Sequence, residues 1–531
     1  MATAAVGSFS AGKAVPFRWL ILLGLVTAAI MEVLDTTIVN VALPQMMGNL
    51  GATPDEIGWV ATGYILSNVV VLPMTAWLSS RFGRKRYLTA SILLFVAASF
   101  FCGTSHTLTE LVFWRVLQGA GGAALLSTAQ ATLVEIFPQN QQGMVQALFG
   151  LGIIMAPTLA PALGGWITDN YTWPWVFFVN VPIGLASAFL VGNFLQDSKY
   201  TKNTASIDGA GIALLALGLS CLQYVLQEGK RYDWFDNAMI TRLSLVAAAC
   251  LIFFTYWELR RANKHPIVDL HVLKNRSLLA GISIGLVLGF GLYGGVFIFP
   301  LFVQNILHFT PTATGLVLMP GGLASGVAMI FCGRMLNKQG RTIDARGLIV
   351  TGMALFISSM WMLGHLTIFS GVDDTRIALI VRGFGLGFLF IPITVSAFST
   401  LQGPDIAQGA SLFNLARQLG GSFGIAVLNT YVDNQTAYHR TNLVTNTFTG
   451  NNIFNQRVDA VTHALHSQGL SANAAHSAAL QAINGSIQAQ AMTMSYNDAF
   501  LLLGLSFVVA FPAVLLLKRG RRPSAQVGGA H

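Results

Sequence analysis

About fourteen times along this chain, roughly twenty apolar residues run between charged or turn-forming punctuation. A run of that length matches the hydrocarbon thickness of a bilayer. Backbone N–H and C=O groups find no water there, so each crossing must close its own hydrogen bonds as a helix or join a barrel. A barrel would show short alternating segments, and these runs are long and unbroken. Their limits fall at about 19–43, 57–79, 87–105, 110–134, 143–167, 175–195, 208–227, 238–258, 278–304, 312–332, 346–366, 375–400, 406–432 and 498–517. The chain is 54% hydrophobic and only 10% charged, too little polar sequence to cover a soluble surface. The fold class is an all-α polytopic membrane protein with about 14 transmembrane helices.

Lysine and arginine give the orientation. Lys13, Arg18, Arg81, Arg84, Lys85, Arg86, Lys199 and Lys202 fall on one side of alternating spans. So do Arg260, Arg261, Lys264, Lys274, Arg276, Arg334, Lys338, Arg341 and Arg346, and then Lys518, Arg519, Arg521 and Arg522. The opposite loops hold little beyond Lys230, Arg231, Arg440 and Arg457. This asymmetry places both termini in the cytoplasm and accounts for the net charge of +9 without nucleic acid. Lys13 and Arg18 before the first long run read as an uncleaved anchor. Cys102, Cys221, Cys250 and Cys332 sit in or at the ends of apolar runs, as small buried hydrophobes do.

One connection is long. Residues 433–497, on the non-cytoplasmic side, read as a helical hairpin inserted before the last span. Phe454, Val458, Val461 and Leu465 repeat at helical spacing, Gly469 stops that pattern, and Ser471 is placed to cap a second helix. His439, His463, His466 and His476 read as a solvated face rather than a metal site, and no metal is expected elsewhere.

Two acids stand inside the first run, within "LDTTIVNVALP" and just before it. Glu32 and Asp35 are three residues apart and share a helix face. Charged groups at membrane depth are costly and are functional candidates by default. Arg115 lies at a similar depth in the fourth run, compatible with a direct or water-bridged pair to Asp35. Arginine stays protonated, so any switching falls to the acid. Burial and a nearby cation act oppositely on a carboxyl group, and a cavity opening to alternate sides changes both. Asp35 is therefore the proposed proton-coupling group, with Glu32 a second acid or a cation-binding group; the alternative is a static buried ion pair.

The chain also repeats itself weakly. "AWLSSRFGRKR" (76–86) returns in outline as "GRMLNKQGR" (333–341), and "RVLQGAG" (115–121) as "RGFGLG" (382–387). Two similar halves imply two helix bundles with a site between them. The glycines of "GAGGA" beside Gln118 and Gly119 permit close helix approach. Pro157, Pro161, Gly164 and Gly165 in the fifth run predict a kinked, smooth surface.

Five stretches in order, "LDTTIVNVALP", "RFGRKR", "RVLQGAGGA", "APALGG" and "WPWVFFVNVPIGL", make the chain resemble a major facilitator superfamily drug:proton antiporter of the fourteen-span EmrB/QacA type, nearest the EmrB branch. The resemblance implies a major facilitator fold: two six-helix bundles, residues 1–195 and 278–517, plus two extra central helices in a linker, 196–277, and a cytoplasmic tail, 518–531. It implies proton-driven multidrug efflux at the bacterial inner membrane, with no cofactor beyond protons as the coupling ion. Small hydrophobic drugs are the implied substrates, and a periplasmic membrane-fusion adaptor and an outer-membrane channel the implied partners. A stand-alone exporter of one metabolite, such as a fatty acid or siderophore, is the alternative. The pattern departs from the family at Ser80 and Asn337, where an aspartate is usual, and at Ala76, usually glycine; Gly83 and Arg84 remain.

Apolar drug pockets use aromatic and flexible side chains. Met31, Tyr64, Met155, Tyr293, Phe297 and Phe388 are candidates, with lipid or core packing the alternative for each. Gln118 joins them beside Arg115. Arg382 and Arg417, with Asn414 one turn before it, have no evident acid in the later spans and either bond helix-end carbonyls or meet anionic substrates. No Walker phosphate loop and no H-E-x-x-H or G-x-S-x-G motif with partners is present, so neither ATP-driven transport nor hydrolysis is indicated.

Overall fold

A computed structural model describes residues 17–197, 208–260, 266–337, 344–445, 447 and 451–517. Lys13, Lys199, Lys202, Arg261, Lys264, Lys338, Arg341 and the tail 518–531 with its four basic residues lie outside the described residues.

The apolar runs form helices, and polar residues at their edges start them. The elements are α1 (Arg18–Leu50), α2 (Trp59–Phe82), α3 (Arg84–Thr104), α4 (Leu108–Ile136) and α5 (Gln139–Asn170). They continue with α6 (Trp175–Phe194), α7 (Gly209–Glu228), α8 (Ala238–Leu259), α9 (Arg276–Asn305) and α10 (Pro311–Asn337). Then come α11 (Ala345–Leu363), α12 (Val372–Phe398), α13 (Asp405–Val444), α14 (Asn452–Ser467) and α15 (Ala472–Leu516). Side chains of Thr107, Asp208, Asn237, Asn275, Asp344 and Ser471 accept first-turn N–H groups and so cap α4, α7, α8, α9, α11 and α15.

Twelve of these helices are long and apolar enough to cross a membrane. The other two long ones, α4 and α13, span 29 and 40 residues. They fall short in apolarity because they carry Arg115, Gln118 and Gln130, and Asn414 and Arg417, toward the interior. Their lengths are compatible with a fourteen-span arrangement.

Contacts repeat in two sets. In the first half α1 packs on α5 and α6, α4 on α2 and α3, and α3 on α6. In the second half α9 packs on α13 and α15, α12 on α10 and α11, and α11 on α15. Two lobes of like build therefore face each other. They meet along α5 and α10, and along α4 and α2 against α13. Helices α7 and α8 pack on one another, and α7 leans on α2 and α13, closing that seam from outside. Leu245, Ile252, Phe253 and Tyr256 of α8 are exposed, as suits a helix facing lipid.

The hairpin expected over 433–497 is built differently. Helix α13 continues to Val444, and α15 runs unbroken from Ala472 to Leu516. At 1.5 Å per residue these helices are about 60 and 67 Å long, roughly twice the hydrocarbon thickness, so both project well beyond the bilayer. Only α14 is a separate piece, and it packs on α15 through Val458 and its neighbours. Ser471 is a cap as expected, but of the last span itself. Likewise α1 continues through Pro44 to Leu50, and α5 passes through Pro157 and Pro161 without a break.

Candidate functional site

Asp35 lies on the inward face of α1 with no exposed surface. An ionised carboxylate there needs donors on both oxygens, and two helices supply them. From α4, Arg115 donates Nη1–H to Asp35 Oδ2 at 2.5 Å and Gln118 donates its amide to Oδ1 at 3.0 Å. From α6, Asn180 donates to Oδ1 at 2.8 Å. The donors are themselves held. Arg115 also donates to the Val60 carbonyl at 2.8 Å and to Gln118 Oε1 at 2.7 Å, and its guanidinium lies 4.3 Å from the Tyr64 ring centre. Asn180 donates to Ser99, whose hydroxyl donates to the Phe177 carbonyl. Every member of this network belongs to the first lobe, so it can move as a rigid unit.

Glu32 sits one turn earlier and is held far more loosely. Asn68 of α2 donates to its Oε1 at 3.4 Å, while Oε2 is buried with no protein partner. Across the lobe junction, Arg417 of α13 and Tyr293 of α9 are close enough for their charges to couple with Glu32. Arg417 is buried, packs 5.7 Å from the Phe390 ring, and leaves Nε and Nη1 without hydrogen bonds. Phe390 in turn lies against Gly150 of α5. One turn before Arg417, Asn414 donates to Gln130 of α4 at 2.7 Å, a direct hydrogen bond between lobes.

The structure thus brings together Asp35, Glu32, Arg115, Gln118 and Tyr64 on one side, and Tyr293, Arg417 and Asn414 on the other. It places the remaining candidates elsewhere. Met31 is buried against Gly184 of α6, inside the first lobe. Met155 lines an apolar groove between α1 and α5 together with exposed Trp19 and Leu23. Phe388 pairs with Phe331, whose ring is exposed on the outer surface, and Phe297 packs on the hydrophobic core. Lipid or core packing describes these four better than a binding surface.

Arg382 is buried against Gly295 of α9 with Nε unbonded. Its relation to the first lobe differs from the one its sequence suggests. A Cβ on Gly119 would stand 2.2 Å from the Tyr64 carbonyl oxygen of α2, and one on Gly383 would stand 2.0 Å from that of Gly321 of α10. A Cβ on Gly121 would meet Ser91 and Phe95, and one on Gly385 would meet Gly352 and Phe356. Gly119 therefore matches Gly383, and Gln118, not Arg115, is the counterpart of Arg382. The arginine-to-arginine register is off by one turn of helix; Leu379 holds the place of Arg115.

The motif residues are structural in their contacts. Gly83 has φ +86°, a backbone that favours glycine, and the Asp197 carboxylate lies against it while accepting from Lys85 N–H at 3.0 Å. Arg84 pairs with Glu135 inside the same lobe. Gly164 packs on Ile38 of α1, and Gly165 is buried in α5. Gly164 does not form the seam between lobes. That seam is a glycine stripe on α10 that the sequence reading overlooked: Gly315, Gly322, Gly326 and Gly333 rest on Ala162, Thr158, Leu151 and the Gly143–Ala147 turn of α5. Spacings of seven, four and seven put them on one helix face. Asn180, Asn68, Gln130, Asp197 and Glu135 were also overlooked. A lone amide in an apolar run was the available signal for the first three. No group of three or more metal-binding side chains occurs among the described residues.

Two like-built helical lobes enclosing buried titratable groups at their junction form the architecture of a secondary membrane transporter. The chain belongs to the Major Facilitator Superfamily, whose family model matches residues 25–425. It is 32% identical to the fatty acid resistance protein FarB of Neisseria gonorrhoeae over 98% of this chain and 99% of that protein. It is equally similar to the multidrug export protein EmrB of Escherichia coli K12, 32% identical over 95% of this chain and 96% of that one. The proton:xylose symporter XylE shares the fold, with a TM-score of 0.57 at 12% identity over 94% of this chain and 95% of that structure.

Proposed function

We propose that this protein is a proton-driven exporter of hydrophobic or amphiphilic compounds, multidrug in range, working by alternating access with both termini in the cytoplasm. The observation that carries this reading is the Asp35 site. Its partners all come from one lobe, while the loosely held Glu32 faces the other lobe's Arg417. Rocking the lobes changes the surroundings of Glu32 at once and opens Asp35 to water from alternate sides. Protonation of Asp35 removes the charge that holds Arg115, and deprotonation restores it. The two states give the cycle its coupling. The likeness to EmrB supports the drug class, and the absence of a nucleotide-binding motif leaves the proton gradient as the energy source.

The projecting ends of α13 and α15 with α14 are the proposed docking surface for a periplasmic adaptor that leads to an outer-membrane channel in a bacterial inner-membrane pump. Exposed Tyr438, Ile453 and Leu480 give that surface its apolar contacts. A second reading, export of an anionic amphiphile, is favoured by the likeness to FarB and by the buried guanidinium groups without acid partners.

Everted membrane vesicles test the proposal. With an acid-inside gradient, wild-type vesicles should accumulate a lipophilic dye, and collapse of the gradient should release it. Asp35→Asn should abolish gradient-driven accumulation at normal protein level. Undiminished accumulation by that variant refutes the coupling role.

A further inference from the structure

We propose that Arg417 binds the anionic head of an amphiphilic carboxylate at the lobe junction, with Glu32 as the resident carboxylate that the ligand displaces. The inference deepens the exporter reading and rests on it.

Three buried guanidinium groups stand at membrane depth, Arg115, Arg382 and Arg417, against two buried carboxylates, Asp35 and Glu32. Arg115 is fully engaged with Asp35. Arg417 is 1% exposed, yet Nε and Nη1 donate to nothing in the protein. Buried polar groups almost always have partners, so two orphaned N–H groups on one guanidinium call for an acceptor. A planar fork of this kind fits a carboxylate in bidentate fashion. Glu32 is close enough for its charge to couple with Arg417, but it makes no hydrogen bond to Arg417 and leaves Oε2 equally unbonded. Tyr64 Oη and Asn68 Oδ1, both buried beside Glu32, are orphaned too. Glu32, Tyr64 and Asn68 of one lobe thus gather near Arg417 of the other, and no hydrogen bond joins Arg417 to them. Phe390 beside Arg417 and Tyr293 on α9 give the head group an aromatic wall. The three buried arginines outnumber the two buried acids at this depth by one, and that surplus favours an anion over a cation.

Binding of labelled dodecanoate, dodecanol and dodecylammonium to the full-length protein in zwitterionic-lipid nanodiscs tests this. The wild type should bind dodecanoate more tightly than the other two. Arg417→Gln should weaken dodecanoate about tenfold or more and leave dodecanol unchanged, and Arg417→Lys should recover part of the loss. Glu32→Gln, which removes the internal competitor, should tighten dodecanoate several-fold, and this arm decides the matter if Arg417→Gln fails to fold. Equal dodecanoate binding in wild type, Arg417→Gln and Glu32→Gln overturns the proposal, as does preference for dodecylammonium. Failure of the exporter reading looks different: dodecanoate binding that depends on Arg417, with no gradient-driven transport in vesicles.

Discussion

At the place where Gln118 of the first lobe donates to Asp35, the second lobe has Arg382, with no acid beside it. Around these two positions the lobes are superposable in their contacts. Gly119 and Gly383 each bring their helix onto a neighbouring carbonyl, and Gly121 and Gly385 do the same against the next helix. Backbone packing has been kept in both halves and side-chain chemistry has been kept in one. The first lobe holds a closed network of an acid and four donors and acceptors. Among the described buried residues, the second holds cations without acids. On the proposed reading, such an arrangement separates two tasks: a stable proton site on one side, and a surface free to engage a ligand on the other.

The sharpest way to break this contrast is to remove one arginine from each lobe. Arg115→Met strands Asp35 as a buried charge and should cost about 3–5 kcal/mol, seen as a large fall in the thermal unfolding midpoint in detergent. Arg382→Met removes a buried charge that has no ion pair, and should leave the midpoint unchanged or raise it. Equal losses would mean that the second lobe also pairs its cation.

A smaller effect tests the matched glycines. Gly119→Val and Gly383→Val each drive a branched side chain into a backbone carbonyl, and both should cost at least about 1–3 kcal/mol by the same assay. Tolerance at Gly383 alone would undo the register that pairs Gln118 with Arg382.

Smaller again is the bond between the lobes. Asn414→Ala removes the hydrogen bond to Gln130, worth about 0.5–1.5 kcal/mol. A cysteine at Ala407, which lies beside Ser79, Arg84 and Ala131 at the basic end, should then react with a maleimide roughly 2–10 times faster. An unchanged rate would show that α5 and α10 alone hold that end shut.

The smallest contrast lies in two surface caps. Thr53 and Glu56 reciprocally cap the short helix Pro54–Ile57 that precedes α2, whereas at α12 only Asp374 accepts from Gly371 N–H. The backbone N–H and hydroxyl of Thr53 hold the Glu56 carboxyl below the ordinary glutamate range. A lowered value means that the cap is at full strength above that range and is lost as pH falls through and below it. Amide hydrogen exchange at Thr53 should therefore speed up, relative to its intrinsic rate, as the pH is lowered toward 4. Glu56→Gln should flatten the dependence.

How much of this could be read from the chain follows from what each residue must satisfy. A charge in an apolar run demands an opposite charge, so Asp35 and Arg115 could be paired across 80 positions, and Gln118 came with them by helical spacing. An amide makes no such demand. Asn180 holds Asp35 as closely as Gln118 does, yet nothing in its own run says which partner it meets. Arg417 lacked a partner within its own half because its electrostatic neighbour, Glu32, lies in the other lobe. The repeat was visible, but arginines were the wrong guide to its register; close packing preserved glycines instead. Helix ends were misjudged where polar sequence stays helical outside the bilayer, as at Val444 and Ala472. Aromatic candidates such as Phe388 could not be separated from lipid-facing ones, because 35 phenylalanines make each one uninformative.

The central claim is that Asp35 exchanges a proton for substrate: it takes one up, which weakens its pair with Arg115, and gives it up when substrate binds. Adding an exported drug to the purified protein in weakly buffered detergent solution measures this directly. The wild type should acidify the solution with a saturable, stoichiometric release, and Asp35→Asn should release nothing while still binding the drug. Proton release by the variant equal to that of the wild type would contradict the account.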